Sequence, residues 1–543
     1  LHSTSRRQRQ MCIRDRYKRM IALGCIFLFS FSILYMRIFW IVSNPTYQAA
    51  GQAQGTYTLT AGHTFGNIYD RSYNLLVNDT STYYAVINPT SEAAEEILPY
   101  VKDLESYHSS LVYGKPFVCE VTKKDFECGD ITVFEVPVRN RENQLAQHVI
   151  GYLSDGEGVS GIEAAYNDYL RSCVSENTVT YSVDGRGSVM DGLGRDISEN
   201  GPMTEGVVLT IDKYIQAICE LAGSRMKKGA VVVMDIYSGE ILGMASFPTY
   251  SADTLSEAVN DKDSPLINRC LYSYNVGSIF KLVTSLAAFE QGIEESFSYN
   301  CTGSTEIGGQ LFKCHDLSGH GVLDMTEAAA ESCNTYYIEL SKHIDSRLLI
   351  ETAQRMGFGR SIPLALGMTV SGGSLQTEED LSLPAEKANM SFGQGKLTAS
   401  PVQICAFTAA IANEGRLYVP SLVKGITHDG KTVSNQEEAK YTDVFDRKTA
   451  FRLQDLMIAA VDLNTDSNAR PSNTHAAGKT STAQTGRFDE DGEEICHGWI
   501  TGFFPLSSPR YAVTVLCEDG GYGNECAAPV FKEIAERITD IYG

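Results

Sequence analysis

The most continuous hydrophobic pattern is an apolar stretch near the amino terminus. Residues 20–42 are 23 positions with a single charge, Arg37. A helix of that length, at about 1.5 Å per residue, crosses a hydrocarbon core of roughly 30 Å. Lys18 and Arg19 precede it, and the positive-inside rule then predicts a cytoplasmic amino end with the rest of the chain outside. The alternative, a cleaved signal peptide, normally has an apolar core of only about 7–15 residues.

No function is inferred from residues 1–16, which precede the anchor. The run RRQRQMCIRDR within residues 1–16 is typical of a translated sequencing adapter, so these residues are suspect as native sequence. The pattern up to this point predicts a cytoplasmic tail over 1–19 and a transmembrane anchor over 20–42.

Beyond the anchor, short apolar and polar alternations predict mixed helices and strands. TYYAVIN around Tyr83 is typical of a strand, and GIEAAYNDYLR from Gly161 is typical of a short helix. Residues 172–203 are rich in Gly, Ser, Asp and Asn, which predicts an extended connector. We therefore expect an amino-terminal domain with its linker over 43–203.

A second pattern begins near residue 204 and predicts a larger domain over 204–543. GAVVVMDIYSGEILGMAS from Gly229 indicates two strands around a turn, and SIFKLVTSLAAFEQG indicates a helix from Ser278 to Gly292. HGWITGFFP and YAVTVLCED indicate late strands, and a closing helix follows from Val530. Strands at both ends with helices between them predict an α+β sheet built from distant segments.

Charge excludes one class of partner. The formal net charge is -22, whereas a nucleic-acid surface needs clustered Lys and Arg. The acidic run at 489–494 lacks the full ligand spacing of a calcium loop, so a solvated turn between two strands is the better interpretation.

The spacing of cysteines and histidines along the sequence does not indicate a metal centre. The chain has 14 cysteines but no paired C-x-x-C groups with zinc spacing. Cys301 and Cys314 flank a short Gly-rich segment, so a local disulfide and free thiols both remain open. His315, His320 and His497 are scattered along the sequence. We therefore expect neither a metal nor a cofactor.

Candidate chemistry lies in three short motifs that stand in order along the second domain: Ser278-Ile279-Phe280-Lys281, Ser332-Cys333-Asn334 and Lys479-Thr480-Ser481-Thr482. A serine and a lysine at this helical spacing share one face, and apolar neighbours would bury their turn. A buried lysine has a lowered pKa and can act as a base, which a serine nucleophile requires. A helix N-cap with a solvated lysine is the structural alternative.

The order S-x-x-K, S-x-N, K-T-G resembles penicillin-binding proteins and serine β-lactamases. The wider text resembles class B penicillin-binding proteins, on segments shared along most of the chain: GNIYDR, GIEAAYNDYL, LTID, GAVVVMDIYSGEILGMASFP, SCNTYY, SFGQGKLTASPVQ, GKTSTAQTG and HGWITGFFP. The resemblance implies an α+β, β-lactamase-like transpeptidase domain behind an elongated, dimerisation-like α+β pedestal and one transmembrane helix. It also implies single-pass attachment to the cell membrane, with the catalytic domain outside the cytoplasm.

The resemblance also implies roles for individual residues. Ser278 would be the nucleophile on the carbonyl between two terminal D-alanines of a stem peptide, and Lys281 would accept its proton. Ser332 would relay a proton to the leaving amine, Asn334 would hold the substrate amide and Lys281, and Lys479 would add positive potential.

Substrate binding would fall to Thr480, Ser481 and Thr482 of the third motif. Thr480 and Thr482 hydroxyls would bind the donor carboxylate, and the backbone N–H groups of Ser278 and Thr482 would form the oxyanion hole. Ser481 stands where the family usually has Gly, close to the substrate-binding strand, so we expect an altered rate or β-lactam affinity but not loss of activity.

Other departures are smaller. Val276 replaces a common proline, and Phe65-Gly66 stands where Arg-Gly is usual. Cys333, inside the second motif, is better interpreted as a packed thiol than as a catalyst.

The resemblance finally implies partners: peptidoglycan stem peptides, β-lactams and a separate membrane glycosyltransferase. Two alternatives stand beside the transpeptidase. One is a catalytically weak scaffold of a cell-wall assembly, suggested by Ser481. The other is a relative that hydrolyses or senses β-lactams, although no water-activating base or cytoplasmic signalling segment is evident.

Overall fold

The architecture is taken from a computed structural model, which describes residues 2–47, 55–141, 143–190, 192–293, 296–434, 436, 438–463 and 467–543. The chain divides into two compact units. Unit 1 comprises 1–63, 81–136 and 175–201, and unit 2 comprises 64–80, 137–174 and 202–543.

The α-helices among the described residues are, in chain order, α1 (His2–Ser43), α2 (Ser91–Ile97), α3 (Leu104–Val112), α4 (Gln147–Ile150), α5 (Gly161–Ala165), α6 (Asn167–Ser172), α7 (Lys213–Gly223), α8 (Leu255–Asn260), α9 (Lys281–Gln291), α10 (Met325–Ala330), α11 (Asn334–Ser341), α12 (Ser346–Arg355), α13 (Pro384–Ser391), α14 (Pro401–Ala412), α15 (Arg447–Asp462), α16 (Gly523–Cys526) and α17 (Ala528–Tyr542). Short 3₁₀ turns occupy Leu98–Tyr100, Ala252–Thr254, Gly277–Phe280 and Asp380–Ser382.

The strands are β1 (Thr56–Thr64), β2 (Asn67–Tyr69), β3 (Thr80–Ile87), β4 (Phe117–Val121), β5 (Ile131–Val138), β6 (Leu153–Ser154), β7 (Glu157–Gly158), β8 (Ser175–Ser182), β9 (Arg195–Ser198), β10 (Gly206–Leu209), β11 (Gly229–Asp235), β12 (Ile241–Phe247), β13 (Tyr274–Asn275), β14 (Tyr299–Cys301), β15 (Ser304–Ile307), β16 (Gln310–Lys313), β17 (Gly321–Leu323), β18 (Ile362–Ala365), β19 (Met368–Val370), β20 (Thr398–Ala399), β21 (Arg416–Tyr418), β22 (Val423–Thr427), β23 (Tyr441–Asp443), β24 (Ala477–Phe488), β25 (Glu494–Phe504) and β26 (Tyr511–Cys517).

Unit 1 contains the apolar helix and two small sheets. Within α1, residues 13–43 are long and apolar enough to cross a membrane by length and composition, and they enclose the predicted anchor. The sheets have strand orders β4-β3-β5 and β1-β8-β9. The predicted connector over 172–203 is wrong in part, because β8 and β9 pair within it. In β8, Val179 and Tyr181 are buried on alternate positions, a strand period that the polar composition concealed.

Unit 2 is organised around a five-stranded antiparallel sheet with the order β12-β11-β26-β25-β24. Two of its strands come from residues 229–247 and three from 477–517, which confirms the sheet of distant segments. Successive residues of β11 alternate between faces. Val232 packs into one apolar cluster together with α14, whereas Val231 and Val233 pack into another with α7 and α17.

Helices cover both faces of this sheet, as expected of an α+β layer structure. Every residue of α14 is buried, and its capping box, in which Ser400 and Gln403 bond reciprocally, marks where it begins. The predicted helix from Ser278 is present as a 3₁₀ turn followed by α9, and Gly292 ends it in the left-handed conformation. The helix predicted from Gly161 is instead two short helices, α5 and α6, with a break at Tyr166.

Candidate active site

The turn that carries Ser278 is packed tightly between two other segments. Gly277 has φ +61°, and a Cβ there would lie 2.4 Å from Ser481 Oγ, so both backbone conformation and space require glycine. The Gly277 N–H donates to the carbonyl of Gly393 at 2.9 Å. Ile279 and Phe280 are fully buried while Ser278 stays partly exposed. In the sequence Gly-Ser-Ile-Phe, Ser278 is thus the residue that stays partly exposed on a closely packed turn.

Lys281 follows this turn and is 1 % exposed. Its Nζ donates to the carbonyl of Ser332 at 2.6 Å and to Asn334 Oδ1 at 2.7 Å, and it lies 3.2 Å from Ser332 Oγ. Burial, helped by the charge of Lys479, holds the pKa of Lys281 well below the ordinary lysine value. A neutral amine spends two N–H groups on the two carbonyl oxygens and keeps a lone pair to accept a proton.

The second motif supplies the oxygen atoms that Lys281 contacts. Ser332 has φ +50°, and Asn334 begins α11, so the two side chains stand on either side of a helix start. Lys479 Nζ donates to Ser332 Oγ at 2.9 Å and to the Thr480 carbonyl at 3.2 Å. Ser332 Oγ therefore lies between two buried amines, a position suited to passing a proton.

The third motif occupies β24, one of the two edge strands of the five-stranded sheet. Alternation along the strand buries Lys479 and Ser481 and leaves Thr480 and Thr482 partly exposed. Burial lowers the pKa of Lys479 to about 8. The Thr482 hydroxyl accepts from the Gly523 N–H at 3.3 Å. Thr480 and Thr482 thus share the partly exposed face of the strand, while the buried Lys479 contacts Ser332.

The side chain of Ser481 lies elsewhere than the sequence predicts. It is 3 % exposed, and its Oγ donates to the carbonyl of Val276 at 2.8 Å. It therefore contacts the turn that precedes Ser278, while its neighbours Thr480 and Thr482 face outward. The hydroxyl is committed to this internal bond, so a direct substrate contact by this side chain is not supported. The reason is the pleat of the strand, which sends alternate side chains in opposite directions.

Four of the predicted site residues are joined by hydrogen bonds in the structure, and a fifth lies on the adjoining turn. Direct hydrogen bonds join Lys281, Ser332, Asn334 and Lys479. Ser278 belongs to the turn that continues into Lys281. The chemical roles inferred for these residues, and the oxyanion hole on the backbone of Ser278 and Thr482, stay predictions.

Sequence reasoning missed a cluster beside the second motif. The ligand atoms of Cys301, Cys314, His320 and Cys333 lie within 4.8 Å of one another and could hold a metal ion. His320, which the sequence places among scattered histidines, therefore lies in a convergent set. The set was missed because 12, 5 and 12 residues separate its members, and this spacing fits no short zinc pattern. Cys301 and Cys314 are free thiols in the structure.

The other two histidines do not join this set. His315 is exposed, with its Nδ1 3.9 Å from Cys314 Sγ. His497 is buried on β25, and its Nδ1 accepts from the Asp519 N–H at 3.1 Å.

A family model and curated relatives match most of the catalytic part of this chain. Residues 229–536 match the family model described as the penicillin-binding protein transpeptidase domain. Peptidoglycan D,D-transpeptidase MrdA of Acinetobacter baumannii is 28% identical, with 86% of this chain and 79% of that protein covered. Stage V sporulation protein D of Bacillus subtilis is also 28% identical, with 84% and 72% covered.

Solved structures show the same fold. One described as the structural coordination of polymerization and crosslinking by a peptidoglycan synthase complex has a TM-score of 0.67 at 24% identity, with 97% of this chain and 99% of that chain covered. The penicillin G acyl-enzyme complex of penicillin-binding protein A from M. tuberculosis has a TM-score of 0.65 at 20% identity, with 88% and 100% covered.

Proposed function

This chain belongs to the penicillin-binding protein transpeptidase family, and we propose that it is a serine D,D-transpeptidase that cross-links peptidoglycan stem peptides. The observation that carries the proposal is the hydrogen-bonded set of Lys281, Ser332, Asn334 and Lys479, with contacts of 2.6–3.2 Å, beside an accessible Ser278. Acyl transfer through serine requires a nucleophile, a base and a proton relay close to one another.

The first half-reaction forms an acyl-enzyme. Ser278 Oγ attacks the carbonyl between the two terminal D-alanines while the neutral Lys281 amine accepts its proton. The bond from that carbonyl to the last D-alanine nitrogen breaks, and Ser332 passes a proton to this leaving amine. Lys479 stabilises negative charge near Ser332, and the backbone N–H groups of Ser278 and Thr482 hold the oxyanion, an interaction typically worth about 3–4 kcal/mol.

The second half-reaction transfers the acyl group. An amine from a neighbouring stem peptide attacks the ester carbonyl, gives up its proton through the same relay, and returns Ser278 to its hydroxyl form. Thr480 and Thr482 bind the donor carboxylate from the accessible face of β24. A β-lactam follows the first half-reaction, since its strained amide opens onto Ser278 and leaves a stable ester.

We assign this activity to a catalytic domain over residues 204–543 and interpret residues 43–203 as the pedestal and linker. In this proposal α1 anchors the chain in the membrane, and the catalytic domain lies on its outer face. A separate membrane glycosyltransferase supplies the glycan strands. Relatives support this proposal by their names as D,D-transpeptidases, and one structural neighbour is described as a peptidoglycan synthase complex.

A fluorescent penicillin tests the activity on the purified full chain. We expect one stable covalent label, mapped by mass spectrometry to the peptide that contains Ser278. Ser278→Ala should abolish the label, whereas Ser224→Ala, which removes an exposed serine hydroxyl, should retain it. Labelling that survives Ser278→Ala would refute the assignment of the nucleophile.

The same assay separates the alternatives. Rapid release of the label would favour the β-lactam hydrolase. No label on a folded protein would favour the scaffold, for which the buried Ser481 of the third motif is the specific observation.

A further inference from the structure

Two cysteines lie close together beside the third motif. Cys517 is the last residue of β26, and Cys526 is the last residue of α16. Cys517 is 3 % exposed, whereas Cys526 is partly exposed. Both are free thiols in the structure. We call these two residues the Cys517–Cys526 pair.

The strand register places this pair next to Thr482. Thr482 of β24 is paired with Gly498 of β25, and Gly498 is paired with Cys517 of β26. Paired residues on neighbouring antiparallel strands share one face of the sheet. A Cβ at Gly498 would lie 2.2 Å from Cys526 Sγ. The sulfur of Cys526 therefore lies over the middle strand of the row that joins Thr482 to Cys517.

A glycine leaves the space between the two side chains open. A Cβ at Gly520 would lie 2.5 Å from Cys517 Cβ and 3.4 Å from Cys526 Sγ. A disulfide brings two Cβ atoms to about 3.5–4.5 Å from each other, so no third side chain can stand between the residues that form it. Gly520 meets that condition.

The two thiols also interact with each other. A hydrogen bond between them lowers the pKa of Cys526, and the same bond together with burial raises the pKa of Cys517. Cys526 is therefore the thiol that loses its proton first. Since the thiolate is the reactive form, Cys526 is also the one that attacks an oxidant.

Other buried cysteines of the same domain have different partners. The Cys270 thiol donates to the Ala245 carbonyl at 3.3 Å. The Cys405 thiol donates to the Ala512 carbonyl at 3.5 Å. Backbone acceptors and full burial are typical of a packed, unreactive thiol. The Cys517–Cys526 pair differs because each thiol has the other as its partner.

A surface cavity of about 550 Å³ gives an oxidant access to the pair. Both cysteines line this cavity, together with charged residues that include Lys228, Glu518 and Asp519. Charged walls keep the cavity wetted, so a polar reagent can enter it. The pair is therefore open to solution chemistry although Cys517 itself is almost covered.

We propose that Cys517 and Cys526 form a disulfide that fixes α16 against the third motif when the domain lies in an oxidising compartment. The oxidant is an organic disulfide. The Cys526 thiolate attacks one sulfur of this disulfide, which gives a mixed disulfide and releases one thiol. Cys517 then gives up its proton and attacks Cys526 Sγ, which releases the second thiol. Two electrons and two protons thus pass from the pair to the oxidant.

The bridge acts on the candidate active site through α16. The Gly523 N–H at the start of this helix donates to the Thr482 hydroxyl at 3.3 Å. A Cβ at Gly523 would lie 2.3 Å from the Ser481 carbonyl oxygen, so the helix start packs directly on β24. The bridge closes the loop 517–526, which contains Gly523, and restricts its motion. This effect on the site rests on the proposed transpeptidase function, whereas the bridge itself does not.

One tryptic peptide reports the bridge directly. Cleavage after Arg510 and Lys532 releases residues 511–532, whose only cysteines are Cys517 and Cys526. Full chain purified in detergent is equilibrated with glutathione disulfide, alkylated in denaturant and digested. The peptide should lack two hydrogen atoms and carry no alkyl group, whereas reduced protein should give the doubly alkylated peptide. Double alkylation after equilibration with glutathione disulfide would overturn the proposal.

Variants separate this bridge from other thiol chemistry. Cys526→Ser should fold, because the side chain is partly exposed, and should give no bridged peptide. Cys496→Ser changes another partly exposed cysteine, on β25, and should leave the bridge intact. If Cys526→Ser does not fold, the peptide of the unchanged protein still decides the question.

The rate of labelling by a fluorescent penicillin tests the positioning role. Reduction of the bridged protein should lower this rate about 3–10-fold, less than the roughly 100-fold loss that a 1 Å misplacement causes. The melting temperature should fall by about 5 °C. Neither quantity should respond to the reductant in Cys526→Ser.

Two outcomes separate this inference from the proposed function. A bridged protein whose labelling rate is unchanged by reduction would overturn the positioning role of the disulfide. A bridged peptide from protein that takes no penicillin label in either redox state would instead overturn the proposed function and leave the disulfide standing.

Discussion

The hydrogen bond from Ser481 to Val276 makes a prediction that the structure allows us to develop quantitatively. Ser481→Ala removes the hydroxyl that donates to the Val276 carbonyl at 2.8 Å and retains the Cβ. Ser481→Gly places the residue usual in the family at the same position. In both variants the carbonyl of fully buried Val276 loses this donor next to the turn that carries Ser278.

The magnitude follows from that lost partner. A buried acceptor left without its donor costs about 1–3 kcal/mol. If the whole cost falls on the reactive turn, the acylation rate drops about 5-fold to 150-fold, because about 1.4 kcal/mol corresponds to a factor of ten. Ser481→Gly should be the less stable of the two variants, since glycine within a strand costs roughly a further 0.5–1 kcal/mol. The turn then samples positions in which Ser278 is misaligned.

The assay is the second-order rate of labelling by a fluorescent penicillin, measured together with the melting temperature. Ser246→Ala is the matched control, because Ser246 is also 3 % exposed and its hydroxyl donates to the Ile267 carbonyl at 2.8 Å on another strand of the same sheet. Both alanine variants should melt a few degrees lower, but only Ser481→Ala should label slowly. Equal rates for the two variants would refute the positioning role of Ser481.

Three further outcomes are expected. Because buried Lys281 loses its proton well below the ordinary lysine pKa and buried Lys479 has a pKa of about 8, the acylation rate should rise with pH as Lys281 is deprotonated and fall above pH of about 8. Lys479→Arg should abolish the descending limb, and a limb that persists would assign it to another group. Gly393→Ala should disrupt the nucleophile turn, since a Cβ there would lie 1.8 Å from the Gly277 carbonyl oxygen, and loss of soluble protein or of labelling checks it. Glu163→Gln should lower the free energy of unfolding by about 3–5 kcal/mol in denaturant titration. The reason is that Glu163 is 1 % exposed and forms an ion pair with the guanidinium of Arg139. A decrease below about 1 kcal/mol would contradict this.

Lys281 also affects how the stability of the fold depends on pH. The folded-state pKa of Lys281 lies below its unfolded value, so the unfolded chain takes up the proton first as pH falls. Stability from this residue is complete above the unfolded pKa. It declines as pH falls from there toward the folded pKa. Equilibrium unfolding of the wild type and Lys281→Met between these limits measures the difference.

Local pattern was sufficient for much of the chain. The apolar stretch at 20–42, the strand pair from Gly229 and the helix that ends at Gly292 depend on periodicity and turn residues, which neighbouring positions encode. The three motifs could be found because their order and flanking text resemble a family, and the family match includes all of them. For such features the physical causes lie within a few residues of one another.

Only the tertiary structure reveals the contacts between residues that are far apart in the sequence. Lys281 meets Asn334 across 53 positions, and Lys479 meets Ser332 across 147, so neither contact has a local signature. The direction of Ser481 followed from the strand pleat and the turn packed against it. The group of Cys301, Cys314, His320 and Cys333 is assembled from four segments whose spacing fits no short pattern. The sequence specifies the chemistry of each side chain. Burial and the meeting of distant side chains arise only when the sheet and helices pack. This packing determines which amine is neutral, which side chains are hydrogen-bonded and which could hold a metal ion.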